Sequence, residues 1–124
     1  MSGFYANIED VVKENSFFRK VLFTGNHSQL VAMALKPTEE IGFEVHNDND
    51  QFFRFEEGQG KVIIADSTYI VGPQDVVVVP SGLNHNIINT STTDYLKLYT
   101  IYSPAHHPDG TIHKTKEEAL QSEK

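Results

Sequence analysis

Glu44-Val-His46 sets a carboxylate and an imidazole two positions apart in a segment that alternates like a strand. A strand turns residues i and i+2 to the same face, so the two side chains point together. Gln51, after the turn cluster Asn47-Asp-Asn-Asp50, and His85, in the run Pro80-Ser-Gly-Leu-Asn-His85, are available to complete a four-donor cluster. Oxygen and nitrogen donors in this mixture suit a divalent transition metal. The chain has no cysteine. A thiolate site and a disulfide framework are therefore excluded, and any metal rests on His, Asp, Glu, Gln or Asn.

The elements that must position these residues are mostly strands. Asn7 to Asn15 reads as a short amphipathic helix, with Asn7 as its cap and Glu9 and Asp10 in the first turn, where acidic groups suit the dipole. Strand-like runs follow at Phe17 to Thr24, Gln29 to Leu35, Glu40 to His46, Gln51 to Glu56, Lys61 to Asp66, Thr68 to Val71, Val76 to Val79, Asn84 to Asn89 and Tyr95 to Tyr102. Gly25-Asn26, Lys36-Pro37, Glu57-Gly-Gln-Gly60, Gly72-Pro73 and Pro80-Ser-Gly82 punctuate them. About nine short strands, with turn signals every ~8–12 residues, indicate a sandwich or barrel. Ser103 to His113 reads as a loop, and Lys114 to Gln121 as a final helical turn or two.

The chain has 124 residues, which fits one domain over 1–124 with a barrel core at about 17–102. Ten basic against 17 acidic residues leave a net charge of −7, which disfavours a nucleic-acid partner. The first residues lack the basic start and apolar stretch of a signal peptide. No apolar run approaches the ~20 residues of a membrane helix. A soluble, cytoplasmic protein is the expectation.

The two motifs resemble those of the cupin superfamily, small jelly-roll β-barrels. The second motif of that family stands complete as Pro80-Ser-Gly82-Leu-Asn-His85-Asn-Ile-Ile-Asn89. The first fits with substitutions. Glu44-x-His46 stands where His-x-His would be, Gln51 where Glu would be, Gly58 at the expected spacing, and Thr38 at the place of the first Gly. Upstream of the second motif the usual Gly-Asp is Gln74-Asp75. The resemblance spans roughly Leu35 to Tyr102. It implies an all-β cupin jelly roll with short N- and C-terminal helical segments, and a metal ligand set of Glu44, His46, Gln51 and His85. The carboxylate has moved and one imidazole has become an amide, while the net ligand charge stays at minus one. Two His and a carboxylate remain, the set of a facial triad with open positions. Gln51 is the weakest ligand, or hydrogen-bonds a metal-bound water. Zinc, manganese, iron or nickel would serve.

Each residue also has a structural reading. Glu44 also fits a solvated strand residue beside Glu39 and Glu40, His46 a surface histidine and Gln51 a turn closure, while His85 can bond a backbone carbonyl. A metal-free polar cup that binds its ligand directly is then the alternative. Phe53, Phe55, Ile87, Leu98 and Ile101 read as core. Tyr99 and Tyr102 are candidates for a general acid or for strand packing. Arg54 can bind an anion through its planar fork, but strand parity sends it away from the face of Gln51. His106, His107 and His113 can form a second metal site, or lie on a segment that wraps over the barrel or a partner. His27 reads as an exposed turn residue.

No Ser-His-Asp motif and no phosphate-binding Gly loop is present, so acyl transfer and nucleotide hydrolysis are disfavoured. Two functions remain: a metal-dependent enzyme acting on a small polar molecule, isomerase-like or dioxygenase-like, or a non-catalytic small-molecule or sugar-binding module. Single-domain cupins of this kind are often grouped with mannose-6-phosphate isomerase, an analogy of barrel alone. The lysine and arginine groups of those larger isomerases have no counterpart here. The resemblance also implies a homodimer, which the apolar run Phe17, Phe18, Val21, Leu22 and Phe23 would serve.

Overall fold

The computed structural model describes residues 2–123. Along the chain run α1 (Ile8–Glu14), β1 (Arg19–Thr24), β2 (Gln29–Leu35), β3 (Asp50–Glu57), β4 (Gly60–Ile64), β5 (Ser67–Val71), β6 (Val76–Val79), β7 (His85–Asn89), β8 (Leu96–Ser103), β9 (Ile112–His113) and α2 (Lys116–Ser122). The Asn7 side chain accepts from the Asp10 N–H at 3.1 Å and caps α1 as its residue type requires. Thr115 caps α2 in the same way, accepting from Glu118 N–H at 3.2 Å.

Six strands form one antiparallel sheet in the order β6-β3-β8-β2-β1-β9, and three form another in the order β5-β4-β7. This is an all-β jelly roll with a short helix near each end. Its core follows from strand parity. Val31, Met33 and Leu35 of β2, Phe53 and Phe55 of β3, and Leu96 and Leu98 of β8 meet Val62 of β4 and Ile87 of β7. Burying side chains of this size contributes about 1.5–3 kcal/mol each.

Two sequence expectations need correction. Glu40 to His46 is not a regular strand. It follows β7 through two isolated bridges, Glu40 with Ile88 and Glu44 with His85. Gly42 (φ +104°) interrupts the run, and the Asn86 side chain bridges the break, accepting from Gly42 N–H at 2.9 Å and donating to Glu40 Oε1 at 3.0 Å. The tail is not only loop, because β9 pairs with β1 through Arg19–His113 and Lys20–Ile112. The apolar run at 17–23 is also partly used within the chain. Phe18 and Val21 enter the core, and Phe23 stacks on Phe4 with ring centroids 5.7 Å apart.

The motif glycine Gly58 has a backbone reason. It holds φ +95°, and a Cβ there would fall 2.3 Å from the Tyr95 carbonyl oxygen. Thr38 keeps the left-handed conformation (φ +66°) suited to the glycine it replaces. Asn89, the last motif residue, is 1% exposed and donates to the carbonyls of Leu35, Lys36 and Asp94, tying together three chain segments. Among the described residues no helix is long and apolar enough to cross a membrane.

Candidate metal centre

Glu44 and His85 come together because their backbones exchange two hydrogen bonds, N–H to carbonyl, at 2.9 and 3.0 Å. Opposed residues of an antiparallel pair send their side chains to one face. His46 follows two positions later, and its carbonyl accepts from Gly82 N–H at 2.9 Å, which ties the first motif to the second. One donor atom from each of Glu44, His46 and His85 lies within 4.8 Å of the others, the one such group of His, Asp and Glu among the described residues.

The second bonds of these side chains orient them. His85 Nδ1–H donates to the Leu83 carbonyl at 3.0 Å, which leaves Nε2 as the free lone pair. Burial lowers the His85 pKa further than the Leu83 bond raises it, so the ring is held neutral, the form that ligates. His46 Nε2 meets Glu44 Oε2 at 2.9 Å. Burial pushes the Glu44 carboxyl up, but the hydrogen bond and charge of His46, followed by Arg19 and His85, outweigh it and hold the group below the usual range.

Gln51 sits on β3 opposite Tyr102 of β8. Its Nε2 donates to Thr100 Oγ1 at 3.0 Å, whereas its buried Oε1 has no hydrogen-bond partner. A buried acceptor without a donor costs about 1–3 kcal/mol. An unpartnered interior oxygen of this kind has the chemistry to accept from a water or to meet a divalent ion. Arg54 points to the other face of β3, where its Nε lies 3.0 Å from Glu56 Oε1.

The tail closes over this cluster. The Gln29 side chain, fully buried, accepts from the N–H groups of His106 and His107 at 3.1 and 3.0 Å and donates to the His107 carbonyl at 2.7 Å. Asn49 donates to the Pro104 and Ala105 carbonyls. His106 thereby comes to 4.4 Å from His46, ring centroid to centroid, and stacks on Tyr102 at 5.2 Å. His107 Nε2 shares a 3.3 Å hydrogen bond with the Tyr102 hydroxyl. Burial raises the Tyr102 pKa far above its usual value and pushes His107 down to about 3. His106, His107 and His113 thus form no second three-donor group; the first two cover the first cluster, and His113 pairs with Arg19.

Arg19 is the residue that sequence reasoning missed. It is 4% exposed and shares the inward face of β1 with Val21. The alternation of Arg19 with Val21 carried the signal, hidden by the apolar residues on both sides of it. Beside it a cavity of about 530 Å³ opens between the 41–46 segment and α2, lined by Arg19, Glu44, His46 and His106 among others. That volume lies within the range of small-molecule sites, ~300–1,000 Å³.

Comparison with known proteins agrees with this architecture. The cupin domain model matches residues 31–102. An uncharacterized protein of Acanthamoeba polyphaga mimivirus is 46% identical over 112 residues, covering 88% of this chain and 70% of its own length. The uncharacterized protein YrkC of Bacillus subtilis is 44% identical, covering 97% of this chain and 67% of its own. A crystal structure from Bacillus halodurans superposes with a TM-score of 0.94 at 40% identity, covering 97% of this chain and 95% of that one. Two motifs in register, a jelly roll and these relatives together establish that the chain belongs to the cupin family.

Proposed function

We propose that this cupin is a metal-dependent enzyme that acts on a small polar molecule, with Glu44, His46 and His85 as ligands and Gln51 Oε1 as the fourth, weaker donor. The observation that carries the reading is the convergence of three donor atoms within 4.8 Å, with two of the three residues, Glu44 and His46, lining an open cavity. A closed structural site would leave no room for a guest. A bound divalent ion supplies Lewis acidity, polarising a carbonyl or hydroxyl of the guest.

The chain's own residues do the rest. His85 is fixed by Leu83 and presents Nε2. Gln51 is fixed by Thr100 and presents Oε1. His106 lines the cavity and is the imidazole nearest to a guest that is not itself a ligand, so it is placed to hold or pass a proton at its ring nitrogen. Tyr102, buried and bonded to His107, holds that covering segment in place. Proton transfer within a hydroxy-carbonyl compound, as in an isomerase, uses these groups directly. A dioxygenase needs iron with open positions, and four protein donors on a six-coordinate ion would leave two.

The experiment is metal analysis of protein grown with supplemented zinc, manganese, iron and nickel. About one equivalent per chain in the wild type, lost in His46→Ala, is the expected result. Metal near zero in the wild type overturns the reading and leaves the second one, a non-catalytic binding module, for which the same cavity speaks. A module of that kind would show a ligand-dependent rise in Tm without turnover.

A further inference from the structure

Arg19 is an unusual resident of a strand's inward face. Charged side chains are almost never fully buried unless they are paired. Yet among the described residues no carboxylate lies within 4.0 Å of Arg19; Glu44 is engaged with His46, and Glu56 with Arg54. Among the described residues the only polar side-chain partner of the guanidinium is neutral: Nη1–H donates to His113 Nδ1 at 3.2 Å. Its Nε–H is buried with no acceptor at all. Phe18 lies under the guanidinium carbon at 5.2 Å and supports its plane.

The surroundings hold the cation in place without an ion pair: Glu44, whose carboxylate feels the Arg19 charge, is hydrogen-bonded to His46 instead. β9 reaches β1 at Arg19 itself, where His113 is the register partner. Burial and then the Arg19 charge lower the His113 pKa, so the imidazole stays an acceptor and the pair carries one positive charge. The group faces the cavity whose other wall is Glu44 and His46. What the guanidinium lacks is an anion in direct contact with it.

We propose that this cavity takes a small carboxylate-bearing molecule, whose carboxylate is received by Arg19 while its neighbouring hydroxyl or carbonyl faces Glu44, His46 and His85. The second half of this assignment rests on the metal-dependent reading above; the first half does not. A planar guanidinium matches a carboxylate in shape and charge. Nη1 is already committed to His113 and Arg19 is the one buried cation among the residues that line the cavity, so a singly charged carboxylate fits better than a phosphate, which needs several cationic donors. Lys116 and Glu123, of opposite charge, also line it.

The test uses (S)-lactate as probe, with lactamide as its uncharged isostere and inorganic phosphate as the competing anion. Calorimetry and Tm are read at constant ionic strength on manganese-loaded and metal-stripped protein. Lactate is expected to bind and lactamide not. Arg19→Gln should weaken lactate at least tenfold at unchanged metal content, with Arg19→Lys in between. Lactate binding equally to the wild type and Arg19→Gln overturns the proposal and leaves the metal reading intact. So does a wild type that ignores lactate or binds lactamide as well, and phosphate binding more tightly than lactate overturns the carboxylate class. Failure to take up manganese, with Arg19-dependent lactate binding retained in the stripped protein, sinks the metal reading alone. Should Arg19→Gln not fold, Leu120 decides. It is 49% exposed on the cavity rim, so Leu120→Glu should weaken lactate and Leu120→Lys strengthen it several-fold, and no difference between the two overturns the proposal.

Discussion

Glu44 and His85 stand 41 residues apart in the chain and are joined by two reciprocal backbone hydrogen bonds of 2.9 and 3.0 Å. Their side chains share a face because of that bridge, not because of any contact between them. Replacing the Glu44 side chain therefore leaves its placement intact. Glu44→Gln should keep the circular dichroism of the wild type and lose at least about tenfold in metal affinity, a loss that ligand changes match or exceed relative to outer-shell ones. Metal titration followed by elemental analysis checks it, and unchanged affinity would remove Glu44 from the ligand set.

Gln51 invites the opposite change. Gln51→Glu restores a carboxylate where the family usually has one. Without metal, a negative charge at this buried position should lower stability by about 1–3 kcal/mol. With manganese or zinc the loss should be more than recovered, so the metal-dependent rise in Tm becomes larger than in the wild type. A smaller rise would mean that Gln51 Oε1 does not face the ion.

Thr38 offers a stability test remote from any ligand. A β-branched residue at φ +66° is strained by about 1–2 kcal/mol. Glycine relieves that strain but makes the unfolded chain more flexible. The net expectation for Thr38→Gly is ~0.5–1 kcal/mol of stabilisation, or a few degrees in Tm. Thermal denaturation that shows a loss instead would indicate that the Thr38 side chain carries contacts of its own.

His107 makes the fold sensitive to acid. Unfolded, its ring titrates near 6.5, whereas burial, followed by the charge of Arg19, holds it at about 3 in the native chain. Below pH 6.5 the unfolded state takes up a proton that the native state refuses. Its contribution is therefore complete above 6.5 and is lost as pH falls toward 3. Discounted for the ring's partial exposure, ~2 kcal/mol should disappear between pH 7 and 4. His85, His106 and His113 are lowered too and add in the same direction. Denaturant titrations across this range should show a shallower slope for His107→Gln, and parallel slopes would remove His107 as a contributor.

The outer face of the larger sheet bears on assembly. Val78, Phe52, Ile101, Leu30 and Phe23 are successive cross-strand neighbours from β6 to β1. A row of this kind can serve an isologous dimer, which we propose in place of the 17–23 run taken alone, since part of that run is already buried. Light scattering at micromolar concentration should give twice the 14.0 kDa chain mass, and Phe52→Glu should return it to one.

Strand parity and turn residues were enough to place β2 at Gln29–Leu35 and the capped α1, and to send Gln51 inward and Arg54 outward, because these depend on neighbours a few positions away. The two motifs also carried the grouping of Glu44, His46 and His85, through backbone pairing that their spacing encodes. What the sequence could not reveal lies at long separation. His106 meets His46, and His113 meets Arg19, only after Gln29 and Asn49 fasten the tail across the barrel mouth. Local pattern determines which face a side chain takes. Which distant side chains share that space is decided by how the sheets close and where the tail crosses them, and no periodicity in the chain records that.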